Sequence, residues 1–334
     1  MQMTVDKTDI LIVGAGPVGL FAAFYAGMRN LSVRVIDSLP EPGGQPKALY
    51  PDKKIYDIPG FSKVTGTELT HSLMGQLQRF ADTTFLHLDE KVINVEKTAT
   101  AFDVQTSKAQ YQAGAIIIAA GNGSFKPRKI QVDGLETYET NDISYHVANL
   151  NRFAGKNVAV LGGGDSAFDA ALGLAEYAHK VYLIHRRDRF RAHEYAVSQA
   201  QAKDNIEILT PYIPKAFIGD GSRLTSLVLN KARSDEMVTL ALDHVFMTYG
   251  FVSSLEDIKN WQLNIENESI IVNHNLQTNI EGMYAIGDIV TYPYKTKLIA
   301  VGFGEAPHVV NQVAHYLYPE RRVEPLHSTS MFDN

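Results

Sequence analysis

The chain has 334 residues, 45% hydrophobic and 20% charged, and its 31 Lys and Arg against 37 Asp and Glu leave a net charge of −6. At roughly 150 residues per domain that length suggests about two domains, and the acidic balance argues against bulk nucleic-acid binding, which favours a basic surface. There is no cysteine, which excludes a disulfide, a thiolate nucleophile, a cysteine-held iron–sulfur cluster and a CxxC redox pair.

No apolar run approaches the roughly 20 residues that span a bilayer. The N-terminus, "MQMTVDKTD", has no signal-peptide core, and no HExxH-like metal spacing occurs. A cytoplasmic location, with no membrane or nucleic-acid partner, is the default expectation.

The first predicted element is a buried strand, Ile10 to Val13, in "DILIVGAGPVG". It enters a turn whose glycines, Gly14, Gly16 and Gly19, have G-x-G-x-x-G spacing. In a dinucleotide pocket the first permits the turn, the second lets the backbone approach a pyrophosphate, and the third lets the helix pack on the strand. The helix that follows offers free N–H groups and its positive dipole end to phosphates. A second strand, "SVRVID", ends in Asp37, 18 residues after Gly19, where a carboxylate suits ribose hydroxyls. Glycine turns alone are weak evidence; strand, turn, alanine-rich helix and acid together read as a dinucleotide site.

Further on, "AGAIIIAAGNG" is a buried strand ending at Gly121, a natural point for the chain to cross into another domain. A second unit then repeats the plan: strand Val158 to Leu161, fingerprint positions Gly162, Gly164 and Ala167, the helix "AFDAALGLAEYA" and the strand "KVYLIHRR". Here, 18 residues past Ala167, stands His185, followed by Arg186 and Arg187, with Arg191 in "DRFR". A carboxylate suits a free 2′-OH and repels a 2′-phosphate, whereas guanidiniums grip that phosphate with charge-assisted forks. The first site is therefore expected to take a dinucleotide without a 2′-phosphate, and the second NADP. The plain alternative for the arginines is an exposed basic turn. "VFMTYGF" reads as the returning strand.

Near the C-terminus, "TNIEGMYAIGDI" holds a strand, Gly282 to Ile286, running into Gly287-Asp288. The segment "EAPHVVNQVAHYLY" reads as a helix stopped at Pro319. A tail of 15 residues, "ERRVEPLHSTSMFDN", follows; a bare terminus frays, but its His-Ser-Thr-Ser run and Met331-Phe332 argue for an anchored segment.

Over nearly its whole length the chain resembles the low-molecular-weight thioredoxin-reductase-like flavoproteins, and within them the ferredoxin/flavodoxin–NADP reductases. The strings that carry this include "GAGPVGLFAAFYAGMR", "GGQPKALYPDKKIYDIPGF", "FAGKNVAVLGGGDSA", "IHRRDRFRAHE", "IAVGFGEAP" and "PLHSTS". The resemblance implies an α/β fold of two Rossmann-like three-layer domains, the NADP domain (122–249) inserted into an FAD domain (1–121 and 250–334). It implies non-covalent FAD and a homodimer.

Site residues carry over where the strings match. Pro17 joins the first glycine turn, and Asp165 and Ser166 the second. Asp37 falls where many relatives have Glu. Gln45 is expected at the flavin's polar edge and Tyr50 on its ring. Val92 matches a backbone contact to adenine, and Phe125 follows the interdomain crossing; both also read as core residues. Asp288 is expected to serve the ribityl–pyrophosphate region. His327 is expected on the flavin face opposite Tyr50, with Ser328 and Thr329 near its reactive edge.

A thioredoxin reductase needs a dithiol beside the flavin, and exchange requires a thiolate. In its place here lies "NDISYHVANL", with His146 and no cysteine. What remains is direct transfer from NADPH through FAD to a one-electron carrier, ferredoxin or flavodoxin. Reduction of quinones or other small oxidants and a non-enzymatic FAD/NADP redox sensor are the alternatives. Lys53, Lys54, Lys126, Arg128 and Lys129 are candidates for docking an acidic carrier.

Overall fold

The computed structural model describes residues 6–145, 147, 149–321 and 328–332. The chain divides into two units, Met1–Phe125 with Ser253–Asn334, and Lys126–Val252.

The first unit is built on a parallel sheet. β1 (Asp6–Val13) pairs with β2 (Val33–Ile36), and β2 with β3 (Thr84–His87). Ile10, Leu11 and Ile12 are fully buried on both faces, so the strand reads as a continuous apolar run. Each such side chain contributes roughly 1.5–3 kcal/mol by leaving water. β4 (Val92–Lys97), β5 (Phe102–Thr106) and β6 (Gln110–Ile118) form an antiparallel meander, and β6 also runs parallel to β1.

Three helices of this unit lie in its N-terminal segment. α1 (Pro17–Met28) opens with proline, whose missing N–H costs nothing at that position. α2 (Gly44–Leu49) is short, and α3 (Gly66–Leu77) begins with a full capping box between Thr65 and Glu68.

The second unit has a parallel sheet of its own. Its central strand β7 (Asn157–Leu161) pairs with β8 (Lys180–Ile184), and β8 with β9 (Ile206–Leu209). α4 (Asp165–Ala175) follows β7, and α5 (Glu194–Gln201) lies between β8 and β9. β10 (Tyr212–Gly219), β11 (Leu224–Lys231) and β12 (Met237–Ala241) make a separate antiparallel sheet. β13 (His244–Met247) pairs on the other side of β7, and the short Ile143–Ser144 strand pairs in parallel beyond it.

The chain then returns to the first unit. The Met283–Ala285 strand pairs in parallel with β6, so two distant segments close one sheet. The lone tryptophan, Trp261, is buried here and donates its Nε1–H to the Ile93 carbonyl at 3.0 Å. The last long helix, α6, runs from Ile299 to Leu317. It therefore starts six residues before the "EAPHVV" boundary expected from sequence and carries Pro307 inside it. Gly302, Gly304 and Pro307 look like local breakers, but Gly302 is a contact point: a Cβ there would lie 2.4 Å from Val18 Cγ2 of α1. Packing on α1 overrides local propensity.

Candidate functional site

In the first unit, two fingerprint glycines are required by the fold itself. Gly14 has φ +110°, and a Cβ on it would lie 2.5 Å from the Ala119 carbonyl oxygen. A Cβ on Gly19 would lie 2.0 Å from the Gly14 carbonyl oxygen. Gly16 is different, since the nearest atom to its Cβ would be Gly44 Cα at 3.8 Å. The space in front of Gly16 is what a pyrophosphate needs. Gly16 is also the N-cap of α1 and supplies no side-chain cap, and α1 has no acid in its first turn. Among the described residues no side chain caps its N–H groups, unlike those of α3, which Thr65 and Glu68 satisfy.

Asp37 is nearly buried, and its carboxylate is held by the turn. Oδ2 accepts from the Ala15 N–H at 2.6 Å and Oδ1 from the Leu39 N–H at 2.8 Å. Burial raises its pKa, and the two backbone donors oppose that rise. Each carboxylate oxygen keeps further lone-pair capacity for a ribose hydroxyl. The GGQ turn is tied to the same place, because Gly43 N–H donates to the Ala15 carbonyl at 2.8 Å. Gln45 Oε1 accepts from Asn122 Nδ2 at 3.4 Å.

Tyr50 caps the C-terminus of α2 and remains 38% exposed. Its phenol is pushed up by burial and then by the charge of Asp288, so the fold brings the two residues into electrostatic range. Asp288 lies in a short 3-10 turn, Gly287–Ile289, and has no hydrogen-bond partner for its carboxylate among the described residues. Burial raises its pKa, Lys295 and Lys297 lower it, and Glu305 raises it again.

Sequence reasoning missed three residues at this point. Glu305 is 6% exposed and accepts from the Gly287 N–H at 2.7 Å, from Tyr292 Oη at 2.6 Å and from Lys295 Nζ. The available signal was one acid within an otherwise apolar stretch, "IAVGFGEAPHVV".

Other expected residues are placed less tellingly. Val92 heads β4, is 6% exposed and pairs with Thr106. Phe125 lies in the Ser124–Pro127 strand. His327 and His146 lie outside the described residues. Ser328 and Thr329 open a short helix, Ser328–Phe332, and both are exposed. Of the candidate docking residues, Lys53, Lys54 and Arg128 are exposed, while Lys129 is engaged by Glu139 at 2.6 Å.

The second unit repeats the division of labour. A Cβ on Gly162 would lie 2.3 Å from Thr248 Oγ1, and one on Gly164 would meet nothing within 4 Å. Gly164 is the uncapped N-cap of α4. Ser166 is exposed in the first turn. Asp165 Oδ1 accepts from the backbone N–H of His193 at 2.9 Å, and Arg191 N–H donates to the Gly163 carbonyl at 2.8 Å. The arginine loop is thus folded back onto the glycine turn. Arg186, Arg187 and Arg191 are exposed and form no ion pair with any described residue. His185 has its pKa lowered by burial first and then by the charges of Arg186, Arg187 and Arg191, against a bond to the backbone of Arg189. Burial also pushes Tyr249 up to about 12, with Arg186 opposing. An unpaired triple cation beside a free helix N-terminus can hold an anion carrying several phosphates.

Among the described residues no group of acids and histidines is arranged to hold a metal, and no helix is long and apolar enough to cross a membrane.

The family pattern described as "Pyridine nucleotide-disulphide oxidoreductase" matches residues 8–312. The ferredoxin–NADP reductase 2 of Listeria welshimeri is 50% identical over 326 residues, covering 97% of this chain and 98% of that one. The ferredoxin–NADP reductase 2 of Bacillus velezensis is 49% identical over 334 residues, covering 100% of both. Among solved structures, the thioredoxin reductase of Lactococcus lactis superposes with a TM-score of 0.73 at 25% identity, covering 93% of this chain and 99% of that one. That of T. acidophilum gives 0.72 at 25% identity, covering 94% and 98%. The fold is therefore the α/β thioredoxin-reductase fold with two Rossmann-like dinucleotide-binding domains. The chain belongs to the pyridine nucleotide-disulphide oxidoreductase family, whose members bind FAD and NAD(P), and within it groups with the ferredoxin–NADP reductases of thioredoxin-reductase-like type.

Proposed function

We propose that this chain is an FAD-dependent ferredoxin–NADP reductase that moves electrons between NADPH and a one-electron carrier, ferredoxin or flavodoxin, as a cytoplasmic homodimer. The FAD domain is assigned to 1–121 and 250–334, and the NADP domain to 122–249. The observation that carries the reading is the contrast between two similar glycine-turn pockets in a chain without cysteine. One strand ends in Asp37 and the other in Arg186, Arg187 and Arg191.

The cofactors supply hydride and one-electron chemistry when bound. The chain's residues bind and orient. Gly16 and the α1 N-terminus hold the FAD pyrophosphate, Asp37 its ribose and Asp288 its ribityl end. Gln45 meets the flavin's polar edge, and Tyr50 and His327 stack on its ring. Gly164, Ser166 and the α4 N-terminus hold the NADP pyrophosphate, and the three arginines its 2′-phosphate. With no thiolate, no dithiol step exists.

Steady-state turnover with NADPH and ferredoxin, flavodoxin, a small quinone or a thioredoxin tests this. Saturable reduction of ferredoxin or flavodoxin is expected, with thioredoxin reduction at the free-flavin background. Saturation with the quinone alone identifies a small-oxidant reductase instead, and rapid disulfide reduction overturns the cysteine argument.

A further inference from the structure

We infer that Glu305 is the positioning residue for Asp288, clamping the Gly287-Asp288 turn so that the Asp288 carboxylate stays free for the flavin nucleotide. The inference rests on the FAD reading of the first unit.

Glu305 lies two turns into α6, and its carboxylate gathers three donors from one loop. It accepts from the Gly287 N–H at 2.7 Å, from Tyr292 Oη at 2.6 Å and from Lys295 Nζ. The Lys295 and Glu305 side chains are 4% and 7% exposed. The turn is pinned from other sides as well. A Cβ on Gly302 would lie 3.4 Å from Gly287 Cα and 2.4 Å from Val18 Cγ2. Gly287 itself has φ +81°, and a Cβ on it would lie 3.6–3.7 Å from Val18 side-chain atoms. The turn is thereby fixed against α1, whose N-terminus is the phosphate end of the same pocket.

A buried ion pair is a poor device for stability. Desolvation offsets much of its attraction, and apolar replacement of both partners is often neutral or stabilising. Leucine at 305 and methionine at 295 would remove both charges and fill the space, leaving the Gly287 N–H and the Tyr292 hydroxyl without their acceptor. Retention of a carboxylate is explained by its bond to Gly287, one residue from Asp288. By taking the Gly287 N–H and engaging Lys295, Glu305 leaves Asp288 without an internal partner. Lys295 and Lys297 still favour its ionised form.

The test uses the FAD-loaded protein and charge-balanced variants, so that no buried charge is stranded. In Glu305→Leu with Lys295→Met, FAD release on dilution, followed as the rise in flavin fluorescence, is expected to quicken at least tenfold. Unfolding of the flavin-free protein, followed by the fluorescence of Trp261, is expected to stay close to that of the flavin-free wild type. Glu305→Gln with Lys295→Met keeps an acceptor for Gly287 and is expected to restore release to within about threefold of wild type. In an Asp288→Ala background, the Leu/Met pair is expected to change release less than twofold, since coupled residues do not add. Equal release in the Leu/Met protein and wild type overturns the inference, as does a tenfold effect that persists without Asp288. A flavin-free Leu/Met protein that is already unfolded where the flavin-free wild type is still folded also overturns it, because that marks a merely structural role. A wild-type protein that carries no flavin overturns the FAD reading and the inference together.

Discussion

The backbone N–H of His193 donates to Asp165 Oδ1 at 2.9 Å, joining residues 28 apart. This bond and the one from Arg191 N–H to the Gly163 carbonyl fold the arginine loop onto the second glycine turn. Asp165 thus commits an oxygen to the protein, and on the proposed reading its part is to hold the loop. Asp165→Ala should lower NADPH affinity at least about tenfold, in keeping with loss of a bond to a charged acceptor, about 1.5 kcal/mol or more. NADH affinity should fall less, and Asp165→Asn, which keeps the oxygen, should restore selectivity. Coenzyme dissociation constants by fluorescence titration check this; equal losses for both coenzymes would show that the loop does not read the 2′-phosphate.

On the proposed reading, coenzyme selectivity is expected to reside in the guanidiniums. Arg186→Ala with Arg187→Ala should weaken NADPH binding by at least about tenfold and leave NADH nearly unchanged. Hydrogen bonds to charged groups contribute about 1.5–3 kcal/mol, and about 1.4 kcal/mol is tenfold. The neutral state of His185 should also become less favoured relative to its cation, since both guanidiniums lower its pKa. The NMR titration of its ring protons should therefore move to higher pH in the variant.

Carrier docking should depend on salt. Lys53 and Lys54 are exposed beside the Tyr50 end of α2, within a chain of net charge −6. At saturating NADPH, KM for an acidic carrier should rise between about 20 and 300 mM salt as screening shortens to under 10 Å. Lys53→Glu with Lys54→Glu should raise KM at low salt and flatten the dependence. A flat wild-type response would point to a neutral acceptor.

The second unit should lose stability in acid through His244. Burial, then Arg152, with Lys156 and Arg223, lower its pKa to about 4 against the pull of Asp142. Its ring is held by Ser144 Oγ at 2.9 Å and packs on Phe153 and Phe246. A depressed folded pKa stabilises above the unfolded value of 6.5, and that contribution is lost as pH falls toward about 4. The loss amounts to on the order of 3 kcal/mol once the ring is protonated. Hydrogen exchange of β7 and β13 amides, corrected for intrinsic rates, should show this slope between pH 6.5 and 4. His244→Gln, which does not titrate, should flatten it.

Much of the site was legible in the sequence because its signals are local. The spacing of Gly14, Gly16 and Gly19 follows from steric contact within one strand–turn–helix unit, and the exchange of Asp37 for Arg186 and Arg187 is a matter of charge at one strand end. The start of α6 was not legible, because Gly302 and Pro307 break helices unless a partner surface holds them.

The sequence by itself determined two dinucleotide-binding units whose second strands end in opposite charge and, through the absence of cysteine, a path without thiols. Only the tertiary structure decided which polar groups are engaged internally and which stay free. Asp165 and Asp37 both stand in fingerprint positions, yet each is bonded to backbone N–H groups that no spacing reveals. Glu305 meets Gly287 from 18 residues away, and Tyr50 senses Asp288 across most of the chain. Such pairings depend on which strands share a sheet and which helices touch, here on the Met283–Ala285 strand joining β6 and α6 packing on α1. A carboxylate's availability is set by the donors that folding brings to it.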